Sequence, residues 1–206
     1  MSRGAKDIEA VALVIDCGLK SSKDSQFLEK CKECATNIIL KKIFSESKDV
    51  LSVIVLGSEA TSHPLDSDGG YRHIEVVLPF MVASWDLVTA VSGLSINHRV
   101  TNSDWCDALV VAMQCLKEKM DDTKNMKKVN HITTAKLVML SSFSQDVDDS
   151  CMDSVVSAII NTDMEVIFIA PDEVAERIEE DSTGKTLSHG ENALRKVIEK
   201  VSLLKP

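Results

Sequence analysis

Ala10-Val-Ala-Leu-Val-Ile-Asp16 decides the fold. Six apolar residues without a polar break, ended by a carboxylate, read as a strand buried on both faces. Such strands belong to parallel sheets covered by helices. Val50-Leu-Ser-Val-Ile-Val-Leu56, Lys136 to Leu140 and Glu165 to Ala170 repeat the pattern and predict three more buried strands. Ile74 to Leu78 is shorter and is closed by Pro79, which predicts an edge or antiparallel strand.

Helical spacing fills the intervals. Phe27, Cys31, Cys34, Ile38 and Leu40 lie near one face over 27–44, with Asp24 or Ser25 as a cap. Trp85 to Leu94 predicts a short helix with Trp85, Val88 and Leu94 inward. Cys106, Leu109, Val110, Met113, Leu116 and Met120 form a stripe on a helix from Asp104 to Met120. Val147 to Ile160 turns Val155, Val156, Ile159 and Ile160 inward. In the last helix, Glu191 to Leu204, Leu194, Val197, Ile198, Val201 and Leu204 are in phase. Polar residues 172–190 leave room for a short acidic helix. The order predicts an α/β fold: a three-layer, mostly parallel, Rossmann-like sheet with one short antiparallel edge strand and helices on both faces. No repeat or low-complexity linker interrupts the 206 residues, so they read as one domain, 1–206.

Composition removes several functions. Hydrophobic residues at 44% and charged residues at 27% suit a soluble globular protein, and aromatics at 4% leave the core to Val, Ile, Leu and Met. A net charge of −9 argues against gripping nucleic acid directly, because phosphate binding needs clustered Lys and Arg. The densest basic stretch, Lys117 to Lys128, also holds Glu118, Asp121 and Asp122 and reads as a solvated helix end and loop. The cysteines at 17, 31, 34, 106, 115 and 151 mostly lie in apolar runs, as free thiols of a reducing compartment do, cytosol or nucleus. Cys31-Lys-Glu-Cys34 has redox spacing, but it sits mid-helix without a second pair and reads as core. No signal peptide is evident, and no apolar run approaches the roughly 18 residues of a membrane span, so no membrane is expected among the partners.

In open α/β sheets chemistry gathers at the carboxyl ends of the strands, here 16–22, 101–107 and 141–145. Gly18 stands without a dinucleotide fingerprint, and no phosphate loop or nucleophile elbow occurs. His63, His73, His98, His131 and His189 lie mostly in polar stretches and read as surface residues. A hard divalent cation is the remaining option, since Asp16 ends the first strand and Asp104 and Asp107 open the central helix.

A buried strand ending in Asp, a helix opening with Asp-Ala-Leu and a later strand ending near Ser resemble the von Willebrand factor A fold. That family holds Mg²⁺ with Asp-x-Ser-x-Ser after the first strand, a Thr before the central helix and an Asp after the fourth strand. Here Asp16-Cys-Gly-Leu-Lys20 has lost both serines, and the Lys20 ammonium opposes a cation. Ser103 or Asp104 takes the second place, and Ser141-Ser142 the third. The resemblance thus implies a degenerate site at Asp16, Gly18, Lys20, Ser103 and Ser142, with no metal or other cofactor. Asp16 becomes a helix-dipole or loop hydrogen-bond partner.

Within that fold, four segments are similar to the amino-terminal domain of the larger subunit of the Ku DNA-end-binding heterodimer: Phe44 to Asp49, His63 to Tyr71, Trp105 to Met113 and Ile167 to Pro171. The resemblance runs from about Ala10 to Pro171 and rests on spacing, not on one diagnostic motif. It implies a nuclear, non-catalytic part in non-homologous end joining of DNA double-strand breaks, and at telomeres. Its implied partners are the smaller Ku subunit and short basic, aromatic-containing peptides of end-joining factors. DNA contact is implied only through regions absent from this chain. The matching peptide-binding positions are Leu65, Tyr71, Asp104, Val110 and Met113. Tyr71 and Leu65 would wall an apolar pocket, and Asp104 would pair with Lys or Arg. On the residues alone, Val110 and Met113 read better as core and Tyr71 as packing its own loop; the resemblance brings the two readings level. Trp85 and Trp105 read as packing residues. Two other functions stay open: an A-domain scaffold module of a proteasomal or transcription-related complex, and a nucleotide-dependent enzyme, which lacks its phosphate loop.

Overall fold

A computed structural model of the chain describes residues 8–19, 25–101, 103–125, 131–162, 164–179 and 187–204. Lys20 and Asp24 lie outside them. β1 (Ile8–Asp16), β2 (Val50–Leu56), β3 (Ile74–Val82), β4 (Ile132–Leu140) and β5 (Glu165–Ile169) form one sheet in the order β3-β2-β1-β4-β5. Every neighbouring pair is parallel except β2 with β3.

Alternation along β1 explains the layers. Val11, Leu13 and Ile15 enter one core with Phe27, Leu28, Cys31, Ala35 and Ile39 of α1 (Ser25–Phe44) and with Leu87 and Val91 of α2 (Trp85–Ser92). Ala10, Ala12 and Val14 enter the other core, under α3 (Trp105–Asn125), α4 (Met152–Asn161) and α6 (His189–Leu204). The three-layer α/β fold is therefore the one expected. α5 (Asp172–Glu179) lies within the polar segment expected to hold a short acidic helix and buries Val174. A capping box starts α6: Glu191 N–H donates to Ser188 Oγ at 3.2 Å, and Ser188 N–H donates to Glu191 Oε2 at 2.9 Å.

Four details differ from the sequence reading. β3 is not short. It runs through Pro79 to Val82, because Pro79 and Phe80 stand opposite Ser52 alone between the Val53–Leu78 and Leu51–Met81 pairs. This bulge needs no N–H from Pro79, and the Ser52 hydroxyl donates to Leu78 O at 2.8 Å beside it. α4 starts at Met152, not Val147, because Asp148 N–H is drawn to the Asp104 carboxylate and Ser150 N–H to Asp148. Trp85 is 60% exposed. Leu87 and Val91, four residues apart, take the buried face instead, and Trp85 meets only the exposed Phe44 edge-on at 6.5 Å. In α1 the fully buried stripe runs through Leu28, Cys31, Ala35 and Ile39, with Cys34, Ile38 and Leu40 at its margin. Trp105, in contrast, is wholly buried and packs edge-on against Phe143 and Phe168.

Candidate functional site

The tip of β1 carries a buried carboxylate with its hydrogen bonds filled by the protein. Asp16 Oδ1 accepts the Gly18 N–H at 2.9 Å. Asp16 Oδ2 accepts the Ser141 hydroxyl and the Gln145 Nε2–H, both at 2.6 Å. Gln145 is itself fully buried, and its amide also reaches Ser103 Oγ at 3.4 Å. A Cβ at Gly18 would stand 2.6 Å from that Ser103 oxygen, so glycine is what lets the two loops close. These neighbours direct N–H and O–H hydrogens at the carboxylate. A divalent cation needs several carboxylate or other oxygen ligands free to face it. The one carboxylate here is engaged by three donors. Gln145 Oε1, buried without a partner among the described residues, does not make up the set, so the residues present do not fit one. Ser142, expected in this constellation, places its hydroxyl 3.0 Å from that of Ser144. Among the described residues, no three of His, Cys, Asp and Glu gather as metal ligands. Asp16 is the loop hydrogen-bond partner, one of the two roles expected of it.

A different region opens beside it, built on the loop between β2 and β3. Tyr71 and His73 hold left-handed backbone, φ +52° and +64°, which for residues with a Cβ costs about 1–2 kcal/mol each. The loop offsets that cost with clamps. His73 N–H donates to Thr61 Oγ1 at 3.0 Å, while His73 O accepts the Gly57 and Ser58 N–H groups. His63, expected at the surface, is 7% exposed. Its Nδ1 accepts the Leu65 N–H at 3.1 Å, and its Nε2 lies 2.9 Å from Tyr71 O.

Tyr71 so held forms one wall of a cavity of about 410 Å³. Val110 and Met113 of α3 form the floor, and Val155, Ala158 and Met164 the far wall. Gln114, Lys117, Cys151 and Ser154 supply its polar rim. Val110 and Met113 are only partly buried, on the side of α3 that Leu109, Ala112 and Leu116 leave free of the sheet. Three of the five expected binding residues thus share one cavity. Leu65 packs partly buried against the same core.

Asp104 serves another purpose. Its Oδ1 accepts the Cys106 and Asp107 N–H groups at 2.8 and 3.4 Å, capping α3, and its Oδ2 accepts the Asp148 N–H at 2.6 Å. Burial raises its pKa against those bonds. Burial, and then the charges of Asp104 and Asp148, push Asp107 up to about 6. Cys151, on the cavity rim, feels Asp107, Asp148 and Asp104 together, after the burial that chiefly raises its thiol. Asp107, Asp148 and Asp104 thus lie near one rim residue, Cys151, while Lys117 is itself part of the rim. Cys17 and Cys31, held at about 12 by burial, are core thiols without thiolate reactivity.

Sequence reasoning missed the roles of His63 and Gln145, the raised pKa of Asp107, and the α4 wall. His63 stands two residues before Leu65, the spacing at which turn side chains accept a backbone N–H, and that was the available signal for the first. No local pattern announces the others.

Sheet order, the helices on both faces and the carboxylate ending β1 define a von Willebrand factor A-type α/β domain. More particularly, the chain belongs to the Ku70/Ku80 N-terminal alpha/beta domain family, which residues 10–136 match. It is 30% identical over 123 residues to X-ray repair cross-complementing protein 5 of Xenopus laevis, covering 58% of this chain and 16% of that protein. The protein of that name from Dictyostelium discoideum is 29% identical over 136 residues, 62% of this chain and 17% of the relative. The ATP-dependent DNA helicase 2 subunit KU80 of Oryza sativa subsp. japonica is 27% identical over 133 residues, 64% and 19% respectively. The matched region spans less than a fifth of each of these relatives.

Proposed function

We propose that this chain is the recruitment domain of a large Ku subunit, acting in the nucleus during non-homologous end joining. It is non-catalytic. It takes short peptides of repair factors into the cavity between α3 and α4, in a protein paired with the smaller Ku subunit, and meets DNA only through regions outside this chain. The relatives carry the link to repair by their names. The observation that carries the peptide reading is the convergence of Tyr71, Val110 and Met113 on one apolar cavity, with Asp107 and Asp148 near its rim residue Cys151. An aromatic side chain fits a volume of about 410 Å³ lined this way, and Lys or Arg beside it would meet Asp107 and Asp148. The overall charge of −9 favours encounter with basic peptides and disfavours bare DNA. At the β1 tip, where an A domain would hold Mg²⁺, the Asp16 carboxylate is taken up by Gly18, Ser141 and Gln145.

Calorimetric titration with a Lys/Arg-rich peptide carrying one Trp tests the reading. Binding at micromolar Kd or tighter, indifferent to Mg²⁺ and lost in Leu65→Arg, is expected. Absence of binding, or binding that requires Mg²⁺, overturns it. The same peptide separates this reading from a scaffold module of another complex, which would ignore it.

A further inference from the structure

We propose that His63 is the positioning residue of this cavity: one neutral imidazole, protonated on Nε2, ties the backbone of Leu65 to that of Tyr71 and so sets where the Tyr71 ring stands. This deepens the peptide reading and rests on it.

The protonation state follows from the partners. Leu65 N–H can only donate, so the Nδ1 that it meets at 3.1 Å offers a lone pair. A neutral ring then carries its proton on Nε2, where Tyr71 O accepts at 2.9 Å. A second proton, on Nδ1, would face the Leu65 N–H and break the first bond. The tie therefore works with a neutral ring and with one tautomer. The two backbones it joins belong to two of the residues expected to bind ligand.

Tyr71 needs this tie. Its φ of +52° is a conformation that a residue with a Cβ leaves when released. The bonds that hold the end of the loop act at His73: Thr61 Oγ1 on its N–H, and Gly57 and Ser58 on its carbonyl. At Tyr71 itself the carbonyl is held by the His63 ring, which also meets the phenol ring edge-on at 6.2 Å. Backbone and side chain of Tyr71 are thus both referenced to one buried imidazole. A histidine buried for packing alone would find its partners anywhere; one of these, Tyr71, lines the cavity, and the other, Leu65, packs against the same core.

The two bonds can be cut separately. His63→Asn places an acceptor near Nδ1 and keeps the Leu65 turn, but falls short of Tyr71 O. His63→Gln carries an amide donor about as far as Nε2 and loses the Leu65 acceptor. Long-range ¹H–¹⁵N NMR of the wild-type chain at pH 7.5 is expected to show His63 as the Nε2–H tautomer alone. Affinity for the Trp-containing basic peptide is expected to fall about tenfold in His63→Asn and to stay within about threefold in His63→Gln. Tyr71 ring resonances are expected to move in the Asn variant only. An Nδ1–H tautomer, unchanged affinity in His63→Asn, or equal loss in both variants overturns the proposal while wild-type binding leaves the peptide reading standing. If the wild type binds no peptide, the peptide reading fails, and the tautomer and Tyr71 resonances judge the tie by themselves. If His63→Asn does not fold, the tautomer and the His63→Gln affinity decide.

Discussion

Two neighbouring regions of this domain treat polar groups in opposite ways. At the tip of β1, Gly18, Ser141 and Gln145 turn their donors on the Asp16 carboxylate, while Gln145 Oε1 stays buried without a partner among the described residues. Beside Tyr71 an apolar cavity stays open, rimmed by Gln114, Lys117, Cys151 and Ser154. A carboxylate so engaged contributes to stability. An open apolar cavity costs stability, because its lining atoms lack neighbours on one side, and is available to a partner. On the proposed reading, recognition lies on the flank of α3 and not at the end of the sheet.

Substitutions at the two regions should therefore divide cleanly between folding and binding. The largest folding effect is expected at Gln145. Gln145→Leu removes a charge-assisted bond to a buried carboxylate, a loss of about 2–3 kcal/mol, or about 4–12 °C in Tm for a chain of this size. Calorimetric melting measures this, and peptide affinity at 25 °C should be unchanged. A Gln145→Leu protein that melts like the wild type would show that the cluster does not hold the loops together.

Met113→Glu and Tyr71→Ala should do the reverse. Each removes or charges one wall of the cavity, so peptide affinity should fall at least about tenfold. Tm should move by less than about 3 °C, because both residues are only partly buried. An unfolded Tyr71→Ala protein would make the residue structural and blur the division.

Asp107, on α3 three residues before Val110, should show both signs. Its folded pKa of about 6 exceeds the ordinary 3.8. The folded state thus holds the proton more tightly than the unfolded chain. The resulting burden on stability is absent below about pH 4 and complete above about pH 6. Asp107→Asn should raise Tm by about 2–4 °C at pH 7.5, corresponding to about 1 kcal/mol after solvent screening. The gain should vanish near pH 4. The same variant should bind a basic peptide about threefold more weakly. Melting curves at the two pH values and one titration read all three numbers. The smallest effect is expected from Mg²⁺ or a chelator, under about 1 °C in Tm, since a ligand shifts stability only by binding the native state. A rise of several degrees with millimolar Mg²⁺ would mean that the β1 tip can open.

The sheet was legible because a strand buried on both faces must be apolar throughout, and Ala10 to Ile15 and Leu51 to Leu56 leave little else to read. Surface-facing positions were harder. Trp85 reads as core by size, but Leu87 and Val91 already fill the buried face of α2. Ala35 is wholly buried in α1, yet a residue that small gives a weak hydrophobic signal. The floor of the cavity came from family resemblance, since on the residues alone Val110 and Met113 read better as a core stripe. Its far wall was not legible, because nothing local in Ser154, Val155 or Ala158 states which helix they face. Gln145 and His63 belong to the same class: amides and imidazoles find partners through tertiary distance.

The position of β1 has a consequence in time. The strand lies at the centre of the sheet, and Ile8 pairs with Ile132. During synthesis at about 5–20 residues per second, the first strand made waits on the order of ten seconds for the partner that completes its ladder. β2 arrives sooner and covers one edge, Ala10 against Val50. Until β4 arrives, the other edge of the most apolar segment in the chain stands open beside its nascent neighbours. The newborn chain is thus most exposed to misassociation before the residues that form the α3 cavity have anything to pack against.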